Sequence, residues 1–160
     1  MLSFKCLSFD QLSRDQLYEL MVLRQRVFVV EQECPYLDAD GKDSFCLHVM
    51  GYDPAGKLMA YARIVPPGQR LGHSPFEGSN EFRASPAIGR IVTAPEARGK
   101  GYGKRVVEES IRQTEKAFGL RPIKIQAQEY LLGFYQGFGF ERVSETYLED
   151  DIPHVDMVRK

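Results

Sequence analysis

The sequence has no apolar run near the ~18 residues of a membrane-spanning helix. Its opening stretch, MLSFKCLSFD, carries a lysine but lacks the apolar core of a secretory signal. Membrane insertion and secretion are therefore not expected; a soluble, cytoplasmic protein is. Cysteine is scarce: Cys6, Cys34 and Cys46 are an odd number, with no CxxC pair. That argues against a disulfide framework and for a reducing compartment. No paired ligands stand at metal spacing beyond a weak Cys46–His48 pair, so no metal is expected. A formal net charge of −1 lacks the basic surplus of a nucleic-acid binder. Repeats and low-complexity tracts are missing too. What is present is ordinary: 160 residues, 43% hydrophobic and 27% charged. This fits one domain over residues 1–160. Such a chain buries roughly 70% of its unfolded surface and needs no staple.

Periodicity predicts a first strand over 4–9. A helix follows from a cap at Ser13 or Asp15 to about Val30, with Leu17, Leu20, Met21, Val27 and Phe28 on its apolar face. Residues 31–43 read as a loop broken by Pro35 and Gly41. Strands at 44–52 and 57–65 flank the turn Asp53-Pro54-Ala55-Gly56. Residues 66–86 show no period, and a loop of that length is often functional or mobile. A strand at 87–93 leads into a helix over 101–118 that buries Val106, Val107, Ser110, Ile111, Thr114 and Ala117 and ends at Gly119. A strand at 122–127 points Ile123, Ile125 and Ala127 inward. A short helix at 129–137 and strands at 140–146 and 154–159 complete the order β-α-β-β-β-α-β-α-β-β. The expected class is α/β, one mixed sheet with helices on its faces.

The most informative stretch is Arg98-Gly99-Lys100-Gly101-Tyr102-Gly103-Lys104, between a strand and a helix. Alternate glycines leave backbone N–H groups uncovered, the helix start adds its positive dipole end, and Arg98, Lys100 and Lys104 add charge. Together they suit a pyrophosphate. A Walker A loop would need glycine at position 98 and Ser or Thr at 105, which are Arg98 and Arg105. A GxGxxG fingerprint would need glycine at 104, which is Lys104. Downstream, Phe134-Tyr135 is followed by Gly139-Phe140.

The RGxGxG turn resembles the CoA pyrophosphate motif of the GCN5-related N-acetyltransferases (GNAT). The later Tyr…Gly-Phe resembles that family's second half-motif. VFVVEQECPYLDADGKD, IGRIVTAPEARGKGYG, FYQGFGF and EDDIPHVDM look like its ElaA branch, over nearly the whole chain. The resemblance implies the GNAT fold and acetyl-CoA as co-substrate, with transfer to an amine in a ternary complex. It implies a strand over Ile91, Val92 and Thr93 splayed from its neighbour, with the amides of Ile91 and Thr93 facing the cofactor and one of them stabilising the oxyanion. Tyr135 takes the place of the acid that protonates the departing thiolate; a phenol near ~10 suits a thiol near ~8.5. Phe134 stands beside it, and Gln128 replaces the family's usual Asn near pantetheine. The 66–86 stretch is long for that branch, whose acceptor is not defined.

An ammonium must lose a proton before it attacks. Glu31, Asp38, His48 and His154 are candidate bases, with Glu31 and His154 carried forward, and a water relay remains open. Three have a plain alternative: a solvated helix end for Glu31, ordinary sheet histidines for His48 and His154. Arg90, in a central apolar strand, needs a carboxylate partner, Glu31 or Asp38. Acidic residues cluster at Glu145, Glu149, Asp150, Asp151 and Asp156 and at Glu31, Glu33, Asp38, Asp40 and Asp43. They suggest a cationic acceptor, or merely solvated loops. A CoA-binding sensor and a longer-chain acyltransferase are the alternative functions. Room is left for a homodimer.

Overall fold

The computed structural model describes residues 1–70, 74 and 80–160, the side chains of 80 and 81 excepted. Residues 71–73 and 75–79 of the expected 66–86 loop lie outside these. Strand β1 is Ser3–Ser8 and helix α1 is Arg14–Arg24. Ser13 caps α1 with a capping box: its hydroxyl accepts from Gln16 N at 3.1 Å while Gln16 Oε1 accepts from Ser13 N at 2.9 Å. The expected helix to Val30 changes character at Gln25, where Gln25–Glu31 winds as a wider π-helix. An apolar spacing does not separate the two windings, and the π form is frequent at functional sites.

Strands β2 (Leu47–Tyr52) and β3 (Leu58–Val65) meet at the expected turn, closed by Gly56 N donating to Asp53 O at 2.9 Å. The start expected for β2 is a 3-10 turn, Asp43–Phe45. Within the stretch expected as loop, a short helix α2 (Asn80–Ala84) precedes β4 (Ala87–Thr93). Helix α3 (Tyr102–Phe118) buries Val106, Val107, Ser110, Ile111 and Thr114 and ends at Gly119. Its two buried hydroxyls are satisfied within the helix, Ser110 Oγ on Val106 O and Thr114 Oγ1 on Ser110 O. Ala117, expected inside, is exposed. Then come β5 (Ile123–Gln128), α4 (Leu132–Gln136), β6 (Phe140–Arg142), β7 (Tyr147–Glu149) and β8 (Ile152–Arg159).

The single strand expected over 140–146 is two. Val143 N still donates to Asp156 O, but the next rung is taken by a side chain, Asp156 N donating to Ser144 Oγ at 2.8 Å. The chain therefore leaves β8 after Val143 and rejoins it as β7. Among the described residues the sheet has eight strands, in the order β1-β2-β3-β4-β5-β8-β6, with β7 also on β8. β4 and β5 run parallel, and the other pairs are antiparallel. The core joins Leu20, Leu23 and Val27 to β2–β4, and α3 to Ile123, Ile125, Ala127, Val155 and Met157.

Candidate active site

Parallel neighbours β4 and β5 share one ladder pair, Ala87 with Lys124, and then part. Backbone edges that would otherwise bond each other face a cleft of about 860 Å³. Its walls are Ile91, Val92 and Thr93 on β4, Ile125–Gln128 on β5, the π-helical segment, the loop around Tyr36, and residues of α4 and β8.

The glycine turn lies at one end. Gly99 (φ +75°) and Gly101 (φ +74°) both hold the left-handed conformation, and beyond the adjacent residues no described atom lies within 4 Å of where a Cβ would stand on either. That open space exposes backbone amides at the start of α3, which has no side-chain cap. A Cβ on Gly103 would meet Thr93 Oγ1 at 3.5 Å. Arg98 Nη2 donates to Glu31 Oε1 at 2.6 Å, so two residues expected in separate roles form one ion pair. Lys104 stands 3.9 Å from Glu108, and both are largely exposed. Lys100 and Tyr102 belong to the same turn, Lys100 exposed and Tyr102 half-buried.

Tyr135 lines the cleft from α4, 6% exposed. Its ring stands edge-on to Phe134 at 5.1 Å and to Phe140 at 6.2 Å. Burial, with a smaller contribution from Tyr130, pushes the phenol well above its ordinary pKa, so it carries its proton at neutral pH. Phe134 and Gln128 also line the cleft, and Gln128 Nε2 reaches Gln32 Oε1 at 3.4 Å. His154 enters from β8. Its Nδ1 lies 2.7 Å from Ile152 O, and because a carbonyl only accepts, Nδ1 carries the hydrogen and Nε2 is left as the basic nitrogen. Among the described residues Nε2 has no hydrogen-bond partner, and the ring stacks on Tyr147 at 6.2 Å.

Two base candidates are excluded. His48 is fully buried, with Nε2 donating to Asp43 O at 2.9 Å and Nδ1 accepting from Tyr61 Oη at 2.8 Å. Burial lowers its pKa. Asp38, 3% exposed, receives Arg24 Nε on Oδ2 at 2.7 Å, and Arg90 Nε and Tyr36 Oη on Oδ1 at 2.8 and 2.9 Å. Asp38, not Glu31, is thus the partner of Arg90. The weak metal pair dissolves as well: Cys46 Sγ donates to Lys42 O at 3.0 Å. Among the described residues no group of three or more His, Cys, Asp or Glu is placed to hold a metal.

The acidic loop is largely self-neutralised. Arg24 also donates to Asp43 at 2.6 Å, and Arg63 grips Asp40 through two bonds of 2.8 Å and reaches Asp43 at 3.0 Å. Asp38, Asp40 and Asp43 are therefore matched by Arg24, Arg63 and Arg90. Asp156, also counted acidic, is buried under the hydroxyls of Tyr147 and Ser74. Glu149 and Asp150 do reach the cleft. Tyr36, Lys42 and the buried arginines were not foreseen as part of the site, since their meeting depends on how loop 32–46 folds over β3 and β4.

The match to an acetyltransferase (GNAT) domain model covers residues 70–160. The chain is 36% identical to Protein ElaA of Escherichia coli, covering all of this chain and 97% of that one. A UPF0039 protein of Schizosaccharomyces pombe is 36% identical, with 93% and 91% covered. The crystal structure of an acyl-CoA N-acyltransferase from Pseudomonas aeruginosa superposes with TM-score 0.86 at 36% identity, and that of E. coli ElaA with 0.85 at 35%, each covering both chains fully.

Proposed function

Because the chain belongs to the GNAT acetyltransferase family, in its ElaA-like branch, we propose that it transfers the acetyl group of acetyl-CoA to an amine, in a ternary complex and without a metal. The observation that carries this is the joining of an uncovered glycine turn to a parted pair of parallel strands in one cleft. The turn fits a pyrophosphate, since both left-handed glycines face open space. The strand gap fits an extended pantetheine chain, which can bond unpaired backbone edges.

Bound acetyl-CoA supplies an activated acetyl thioester. Arg98, Gly99, Lys100, Gly101, Tyr102, Gly103 and Lys104 hold its phosphates, Arg98 exchanging Glu31 for phosphate oxygen or bridging the two. Gln128 and Phe134 flank the pantetheine. The amide of Ile91, with that of Thr93 further along β4, donates to the carbonyl as negative charge develops. Tyr135 gives its proton to the departing sulfur. His154 Nε2 takes a proton from the amine, directly or through water; Glu31 is the second candidate. Glu149 and Asp150 favour an ammonium-bearing acceptor by charge. The free thiols Cys6, Cys34 and Cys46 suit a cytoplasmic setting.

A thiol-release assay with acetyl-CoA against a panel of mono-, di- and polyamines tests this. Release that depends on an amine is expected. Tight acetyl-CoA binding with no release on any amine would favour a sensor, and faster release from longer acyl-CoA would move the acyl preference.

A further inference from the structure

Arg90 lies in the middle of β4 yet has a left-handed backbone, φ +50°. L side chains other than Asn and Asp rarely adopt it. The register gives the cause. Tyr61 pairs with Val92 and Arg63 with Gly89, so Ala62 faces both Arg90 and Ile91. This is a β-bulge, one extra residue on β4.

The side chain of Arg90 is anchored. Its Nε donates to Asp38 Oδ1 at 2.8 Å, its Nη2 approaches Asp40 Oδ2 at 3.4 Å, and Tyr36 covers it with the ring centre 5.7 Å away. Asp38 is itself fixed by Arg24, whose side chain is fully buried. A guanidinium on the bulge is thus tied to a carboxylate rooted in α1. A residue held against its own backbone preference persists only where its surroundings over-determine it.

We infer that Arg90 is a positioning residue, whose ion pair with Asp38 holds the β4 bulge so that the Ile91 N–H is aimed at the thioester carbonyl. This rests on the reading of the β4 edge proposed above. The backbone angles of Arg90 set the plane of the Arg90–Ile91 peptide, and so the direction of that N–H. A donor to a developing oxyanion works only while well aimed. Freed from Asp38, the bulge residue would drift toward the extended region, and the Ile91 N–H would turn with it.

The test needs no acceptor. Acetyl-CoA carrying 13C at the thioester carbon is bound to the full chain, and its carbonyl stretch is read by infrared difference spectroscopy. The wild type is expected to lower the stretch relative to free acetyl-CoA, because an accepted hydrogen bond weakens the C=O. Arg90→Gln removes the charged fork on Asp38. Arg90→Ala removes the side chain while keeping an L residue's aversion to positive φ. Both are expected to lose most of the lowering, while acetyl-CoA affinity by calorimetry changes little, since the glycine turn is untouched. If Arg90→Gln fails to fold, Arg90→Ala decides alone. A lowering kept in the folded variants overturns the role of Arg90. A wild type that binds acetyl-CoA with no lowering overturns the amide assignment beneath it.

Discussion

Tyr135 and His154 enter the cleft differently, Tyr135 buried and His154 half-buried. Tyr135 is buried beside Phe134 and Phe140, which keeps its proton in place at neutral pH. Tyr135→Phe should therefore leave acetyl-CoA affinity intact and lower turnover by ~10²–10⁴-fold. Calorimetry beside a steady-state assay checks it, and unchanged turnover would mean that another acid serves. The position of Tyr135 was legible because its motif is local. The fate of His48 was not: one histidine in a strand looks much like another until Asp43 and Tyr61 are seen on either side of its ring. Arg90 stood between. Its need for a carboxylate followed from its apolar strand, but the choice of Asp38 needed the loop placed.

Among the elements, the ends were easier to read than the interiors. Ser13, the Asp53–Gly56 turn and Gly119 act on their own neighbours, so sequence suffices. The π winding of Gln25–Glu31 and the break between β6 and β7 depend on a hydrogen-bond period and on Ser144 replacing a backbone rung. The glycine turn supports one prediction. Gly99→Asp sets a negative side chain in the open space proposed above to take phosphate, so acetyl-CoA affinity should fall sharply while the circular dichroism spectrum stays native; equal affinity would remove the phosphate assignment. The β7–β8 hairpin supports another. Asp150 (φ +50°) and Asp151 (φ +61°) both sit left-handed between the strands, the geometry of a type I′ turn. Asparagine suits it as well, so Asp150→Asn with Asp151→Asn removes charge and keeps shape. For a cationic acceptor the double variant should raise KM and flatten the dependence of kcat/KM on salt; unchanged kinetics would make these carboxylates a solvated surface.

Across the whole molecule the mixed sheet and its strand succession were legible, save for the split between β6 and β7, because most strands carried their own apolar pattern. The charge balance was not, since carboxylates that looked available on the chain are matched by arginines from α1, β3 and β4. That balance makes stability depend on acid in two stages. Burial depresses His48, so the unfolded chain takes up that proton first; stability is complete above pH ~6.5 and declines as pH falls from there toward the folded pKa. Burial pushes Asp40 and Asp43 upward, yet bonds from Arg63 and Arg24 outweigh it and hold both low. Their contribution stands above pH ~4 and is lost below it as they protonate. Melting temperature should therefore sag first below pH ~6.5 and then drop steeply below ~4; a curve flat down to pH ~4 would contradict a neutral, buried His48. The single rung between Ala87 and Lys124 has a mechanical side too. Pulled apart across its strands, the sheet should unzip at this seam, hinging into two leaves, and a cofactor bonded to both lips of the gap would serve as the stitches that the backbone leaves out.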